Sequence, residues 1–104
     1  MSEKKEEFKI NDSENGTLYA DRLDIDGASY VNGLPDYTWF FSIEAENYEA
    51  LLKGMTKYLE GQFNFSDDYE YELVKYLKSF GTKVSSLIDV CKANDIEYYF
   101  KNFM

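Results

Sequence analysis

Tyr37-Thr38-Trp39-Phe40-Phe41-Ser42-Ile43 is the stretch that decides the fold. Successive side chains of an extended chain point to opposite sides, so Tyr37, Trp39, Phe41 and Ile43 share one face of a strand and Thr38, Phe40 and Ser42 the other. Upstream, Asp26-Gly27 and Asn32-Gly33 mark turns, and Pro35 lies just before the strand. Further back, Phe8 and Ile10 alternate with polar residues. The segment Asp12-Ser13-Glu14-Asn15-Gly16 supplies an Asn-Gly pair suited to positive φ, which predicts a hairpin into a strand over Thr17–Ile25. That second strand changes phase. Leu18 and Ala20 share one parity and Leu23 and Ile25 the other, so a bulge or a two-sided strand is expected near Asp21-Arg22.

Downstream the period lengthens. Tyr48, Leu51, Leu52, Met55 and Leu59 recur at helical spacing from about Ala45 to Leu59, with Glu49 four residues before Lys53 and Gly61 as the stop. Asp67 with Glu70 resembles a capping box and opens a second helix with Tyr69, Leu73, Tyr76, Leu77 and Phe80 inward, ended by Gly81. Thr82 or Ser85 can cap a third helix with Val84, Leu87, Ile88 and Cys91 inward, closed by Asn94-Asp95, before an aromatic strand over Ile96–Phe103. The order predicts an α+β domain: an antiparallel sheet of about four strands with three helices packed mainly on one face. Met1–Glu7, charged and balanced in sign, is expected to be a mobile terminus ahead of a single domain over 8–104. The expected core is Trp39, Phe41, Leu52, Met55, Leu73, Leu77, Leu87 and Ile88.

The chain has 104 residues, one domain's worth. Ten Tyr, eight Phe and one Trp are enough to fill a core and leave rings for a contact surface. Histidine is absent, which removes the commonest general base and transition-metal ligand and makes zinc, Ser-His-Asp and Cys-His chemistry improbable. Its one cysteine, Cys91, forbids an internal disulfide, lies on the apolar stripe of the third helix and has no histidine to activate it, so a core role is expected. No apolar run approaches a membrane span and no leader pattern opens the chain, so a cytoplasmic protein without cofactor or metal is expected.

Charge is distributed unevenly. Between Asp12 and Leu52 nine carboxylates face one base, Arg22, and Glu60–Glu72 holds five acids and no base; these stretches sum to −13 and the rest of the chain to +4. One-signed clusters steer encounters and attract partners of opposite sign, so the pattern points to a module that binds a basic partner. Tyr19, Tyr30, Tyr37, Tyr69 and Tyr71 lie among the acids and can supply contact area. Direct binding of nucleic acid is not expected, because the eleven bases are scattered and include a single Arg.

Two catalytic or metal readings fail on their residues. Asp24-Ile25-Asp26-Gly27 looks like a fragment of a calcium loop, but Arg22 and Gly33 stand where its anchoring acids belong, and an Asp-Gly hairpin turn is the simpler reading. Asp24/Asp26 and Asp67/Asp68 could divide acid and base roles only in a cleft that raises one pKa, whereas turns and helix starts keep both ionised. No catalytic activity is expected.

Three segments carry a resemblance: Leu18-Tyr19-Ala20-Asp21-Arg22-Leu23-Asp24, then Tyr37 to Ile43 with Glu46-Asn47-Tyr48-Glu49-Ala50-Leu51-Leu52, and the closing Leu87 to Phe100. Together they look like the small immunity proteins of contact-dependent growth inhibition and related polymorphic toxin systems. The resemblance implies an antidote, a monomer or weak dimer, that binds the C-terminal domain of a cognate toxin and covers its active site. Many such toxins are nucleases, which present a basic cleft to their substrate, and a ribonuclease is favoured here. The expected contact residues are Asp21, Asp24, Asp26, Asp36, Tyr37, Asp67, Asp68, Glu70, Tyr71 and Glu72. Two other classes stay open. A phage anti-restriction or anti-CRISPR protein would carry a double row of carboxylates in imitation of DNA, and a small carboxylate enzyme would need a concave pocket holding an acid of raised pKa.

Overall fold

Asn32 and Gly33 both adopt positive φ, at 53° and 81°, and close a two-residue reversal between strands that run far past their neighbours. The structure is a computed structural model and describes residues 3–57 and 66–103. Its elements are β1 (Lys4–Lys9), β2 (Glu14–Tyr19), β3 (Arg22–Val31), β4 (Leu34–Glu44), a 3-10 turn (Ala45–Asn47), α1 (Tyr48–Thr56), α2 (Tyr69–Phe80), α3 (Val84–Ala93) and β5 (Tyr99–Phe103). The α+β expectation holds. Five antiparallel strands lie in the order β1-β2-β3-β4-β5, one more than the expected four. The added strand comes from the stretch expected as one strand over Thr17–Ile25, which reverses at Asp21 and is divided between β2 and β3; the strand expected around Phe8 also starts earlier, since Lys4–Glu7, expected as a terminal tail, pairs with β2.

Register sorts the side chains. Phe8, Gly16, Ile25, Phe41 and Phe100 form one cross-strand row and Leu18, Leu23 and Ile43 another, both on the face the helices cover. Against these rows pack Leu51 and Leu52 of α1, Leu73 and Leu77 of α2, and Leu87 and Cys91 of α3. Of the expected core, Phe41, Leu52, Leu73, Leu77 and Leu87 are fully buried, while Trp39, Met55 and Ile88 are half-buried at its margin. Burial pushes the Cys91 thiol up to about 11, in keeping with a core residue. Leu59 and Gly61, expected to end the first helix, lie outside the described residues.

Several local expectations are corrected. Neither Asn15-Gly16 nor Asp26-Gly27 makes a turn; both lie within strands. Their glycines sit opposite aromatic residues of the neighbouring strand, Gly16 opposite Phe8 and Gly27 opposite Trp39. A Cβ on Gly27 would come within 2.0 Å of the Trp39 ring, so the missing side chain is the space the indole fills. The expected bulge at Asp21-Arg22 is a hairpin reversal, which pairs Leu18 with Leu23 and returns both to the core. The cap of α2 is Asp68, not Asp67: its Oδ1 accepts the Tyr71 amide at 3.1 Å, and Gly81, at φ 57°, ends the helix as expected. Phe80 is exposed, because α2 turns Leu73, Val74 and Leu77 inward instead.

Neither Thr82 nor Ser85 caps α3. Its first amide, Val84 N, donates to both carboxylate oxygens of Glu14 at 3.2 Å. Glu14 is 4% exposed and also accepts from Trp39 Nε1 at 2.7 Å and Asn11 Nδ2 at 2.8 Å. A buried carboxylate persists when its lone pairs are filled and a helix N-terminus faces it, and both conditions are met.

Candidate functional site

The sheet has two dissimilar ends. At one lie the β2–β3 reversal, the end of β4 and the starts of α1 and α2. The Ala45 amide donates to the Asp21 carbonyl at 2.9 Å, fixing the reversal against the exit of β4. Arg22 Nη1 lies 3.3 Å from Asp21, its Nε lies 3.2 Å from Asp24, and its guanidinium covers the Tyr19 ring at 4.1 Å. Asp24 is nearly buried and also accepts from Ser42 Oγ at 2.7 Å.

Glu44 marks the strength of the negative field. Its pKa is raised, first because it shares a hydrogen bond with Glu46 and meets that carboxylate's charge, then through slight desolvation and the charges of Glu97 and Asp21. The neighbouring Tyr48 hydroxyl is buried and has no hydrogen-bond partner among the described residues. Burial raises its pKa strongly, and the charges of Glu70, Asp21 and Asp24 add to the shift. Two sets of acids thus meet at Asp21: Glu44, Glu46 and Glu97 on one side, and Glu70 and Asp24 with Tyr48 on the other. Arg22 pairs with Asp21 and Asp24, and Lys5 Nζ pairs with Glu70 at 3.0 Å.

The expected contact residues divide across the fold. Asp21, Asp24 and Glu70 join this acidic end. Asp67, Asp68, Tyr71 and Glu72 stand beside Glu70 at the start of α2, with Tyr71 exposed. Asp26 projects from the sheet face that the helices leave open, and partial burial with the nearby Asp24 charge raises its pKa. Parts of the two acidic runs, Asp21 and Asp24 of the first and Glu70 of the second, therefore share an end of the molecule. Asp36 and Tyr37 belong to the opposite end, since the seven to eight residues of β3 from Arg22 to Ser29 and Tyr30 carry them roughly 23 to 27 Å away. Asp24 and Asp26 also lie in a strand, not in the turn expected for them.

Sequence reading left Glu44, Glu46 and Glu97 off the contact set. Glu44 and Glu46 were visible in the first acidic run. Glu97 is a single acid before an aromatic strand, and only the return of β5 beside β4 brings it in.

The opposite end holds an open cavity of about 370 Å³ between α3 and the sheet, walled by Tyr37, Trp39, Val84, Ile88 and Phe100, with Lys83 at its rim. Tyr37 accepts a hydrogen bond from Asn102, which ties this wall to β5. Among the described residues no group of three His, Cys, Asp or Glu converges as metal ligands, and no helix is long and apolar enough to cross a membrane. No family model, curated protein or solved structure matches the chain.

Proposed function

We propose that the chain is an immunity-type antidote that binds a basic toxin domain, of nuclease type, through its acidic end. The observation that carries the reading is that two sets of acids meet at Asp21, Glu44 with Glu46 and Glu97, and Asp24 with Glu70 beside Tyr48. The pKa of Glu44 is raised first by its hydrogen bond with Glu46 and then by the charges of Glu46, Glu97 and Asp21, and a guanidinium or ammonium from a partner relieves that crowding of charge on binding. A nuclease cleft is lined with such cations because it must hold phosphates. Compactness favours a cleft over a duplex mimic, since the carboxylates cluster at one end of the sheet and do not run in two rows. On this reading the chain has no catalytic role; Asp26, although its pKa is raised, lies on an open sheet face and not in a deep pocket.

Co-expression tests it. The toxin domain encoded beside this chain's gene should arrest growth alone and be neutralised in its presence, and Glu44→Lys with Glu46→Lys should abolish protection while leaving the circular dichroism spectrum unchanged. Full protection by that folded double variant would place the contact elsewhere. Absence of rescue by the unaltered chain would remove the antidote reading.

A further inference from the structure

The β3–β4 hairpin outruns the rest of the sheet. Pairing of β2 with β3 stops at Glu14 and Gly27, and β5 ends opposite Thr38, so residues 29–37 form a two-stranded arm with no strand on either side among the described residues. Isolated two-stranded ribbons are marginal in water. This one is also apolar at its tip, where Tyr30, Val31 and Leu34 are 64%, 55% and 70% exposed.

Register places Val31 and Leu34, paired with each other, on the same side of the arm as Tyr37 and Trp39. That side is continuous with the cavity at the base of the arm, whose walls include Tyr37, Trp39, Ile88 and Phe100. One molecule therefore presents an apolar knob and an apolar hollow on a single stripe, separated by roughly 10 Å of strand. A two-fold rotation that crosses two such arms seats each knob in the other's hollow, as an isologous contact requires.

We propose that this stripe is a self-association surface, by which two copies cross their β3–β4 arms so that Val31 and Leu34 of each fill the cavity beside Trp39 of the other. Charge favours a second copy as the occupant. Between Gly27 and Phe41 the chain carries one charged residue, Asp36, although its net charge is −9. Lys83 stands at the cavity rim, so the crossing brings Asp36 of each arm towards the Lys83 of its mate. The acidic ends lie at the far ends of the two sheets, beyond the screening length of about 8 Å at physiological salt, and stay open. A contact confined to two arm tips and two hollows belongs to the small class of interfaces, which points to a weak dimer.

Sedimentation equilibrium from about 1 μM to 1 mM, read beside the emission of Trp39, the chain's single tryptophan, tests the proposal. The expected result is a monomer–dimer equilibrium that tightens as salt rises from about 10 to 150 mM, because screening weakens repulsion between two acidic chains, with Trp39 emission shifting to the blue as dimer forms. Leu34→Asp, at an exposed site that leaves the fold intact, should weaken association at least tenfold. Asp36→Lys and Lys83→Asp should each weaken it, and the two together should restore it. A chain that stays monomeric throughout, or a dimer indifferent to Leu34→Asp and to the charge swap, overturns the proposal; the monomeric outcome leaves the arm to a different protein. Neither outcome bears on the antidote reading, whose binding to a basic partner weakens with salt.

Discussion

The indole N–H of Trp39 and the backbone amide of Val84 converge on one acid: Glu14 Oε2 accepts the first at 2.7 Å and both of its oxygens accept the second at 3.2 Å. One buried carboxylate thus ties strand β4 to the first turn of α3. Replacing Glu14 with Ala strands these donors and should cost about 2 to 4 kcal/mol in urea unfolding. A loss under about half a kcal/mol would mean that water takes over the carboxylate's bonds.

Gly27→Ala should destabilise by about 1 to 3 kcal/mol, because the new Cβ meets the Trp39 ring and there is no space for both. Near-ultraviolet circular dichroism, dominated by the displaced indole, should change with it. An unaltered spectrum and stability would show that Trp39 does not lie over Gly27.

Leu77 and Phe80 share a helix and an apolar character but not an environment. Leu77 is fully buried and Phe80 is 56% exposed. Leu77→Ala should cost about 2 to 5 kcal/mol, whereas Phe80→Ala should stay within about 1 kcal/mol. Equal losses would mean that α2 is rotated from the orientation described.

The acidic end makes stability depend on pH with a definite sign. Glu44 has a raised pKa in the folded protein, so its ionised form is less favourable there than in the unfolded chain. The penalty is absent below the unfolded pKa, grows through the folded one and is complete at neutral pH. Asp26 contributes with the same sign. Glu44→Gln should therefore raise Tm at pH 7 and leave it unchanged near pH 4, as read by differential scanning fluorimetry. A Tm lowered at pH 7 would show that the Glu44 charge is favourably paired.

Element types were legible wherever a period ran through several residues, as along Tyr37–Ile43 or Leu73–Leu77. Turns were less so. Asn15-Gly16 and Asp26-Gly27 carry turn residues, yet what fixes them is an aromatic ring on the next strand, which no local window contains. Glu14 resembled any acid of a polar loop, because two of its partners, Trp39 and Val84, lie 25 and 70 residues away. The acidic end was half visible. Its charges were apparent, but grouping by sequence placed Asp36 with Asp21, and a strand's rise then carried the two to opposite ends. What joins Glu70 to Asp21 is the packing of α2 against the sheet, which charge counting does not contain.

The position of β5 has a consequence for the order of events in folding. Strands β1 to β4 are joined by short reversals and can zip together as soon as each emerges, but Phe41 must wait for Phe100, about sixty residues later, while α1, α2 and α3 intervene. Through that interval β4 is a bare edge carrying Trp39, Phe40 and Phe41, the kind of unpaired apolar strand that recruits other chains. Refolding should therefore show an early phase for the four-strand meander and a slower one for docking of β5, and aggregation should compete in the gap between them. A free β5 peptide, Tyr99 to Phe103 with short flanks, added at the start of refolding should compete for that edge and lower the yield of native protein.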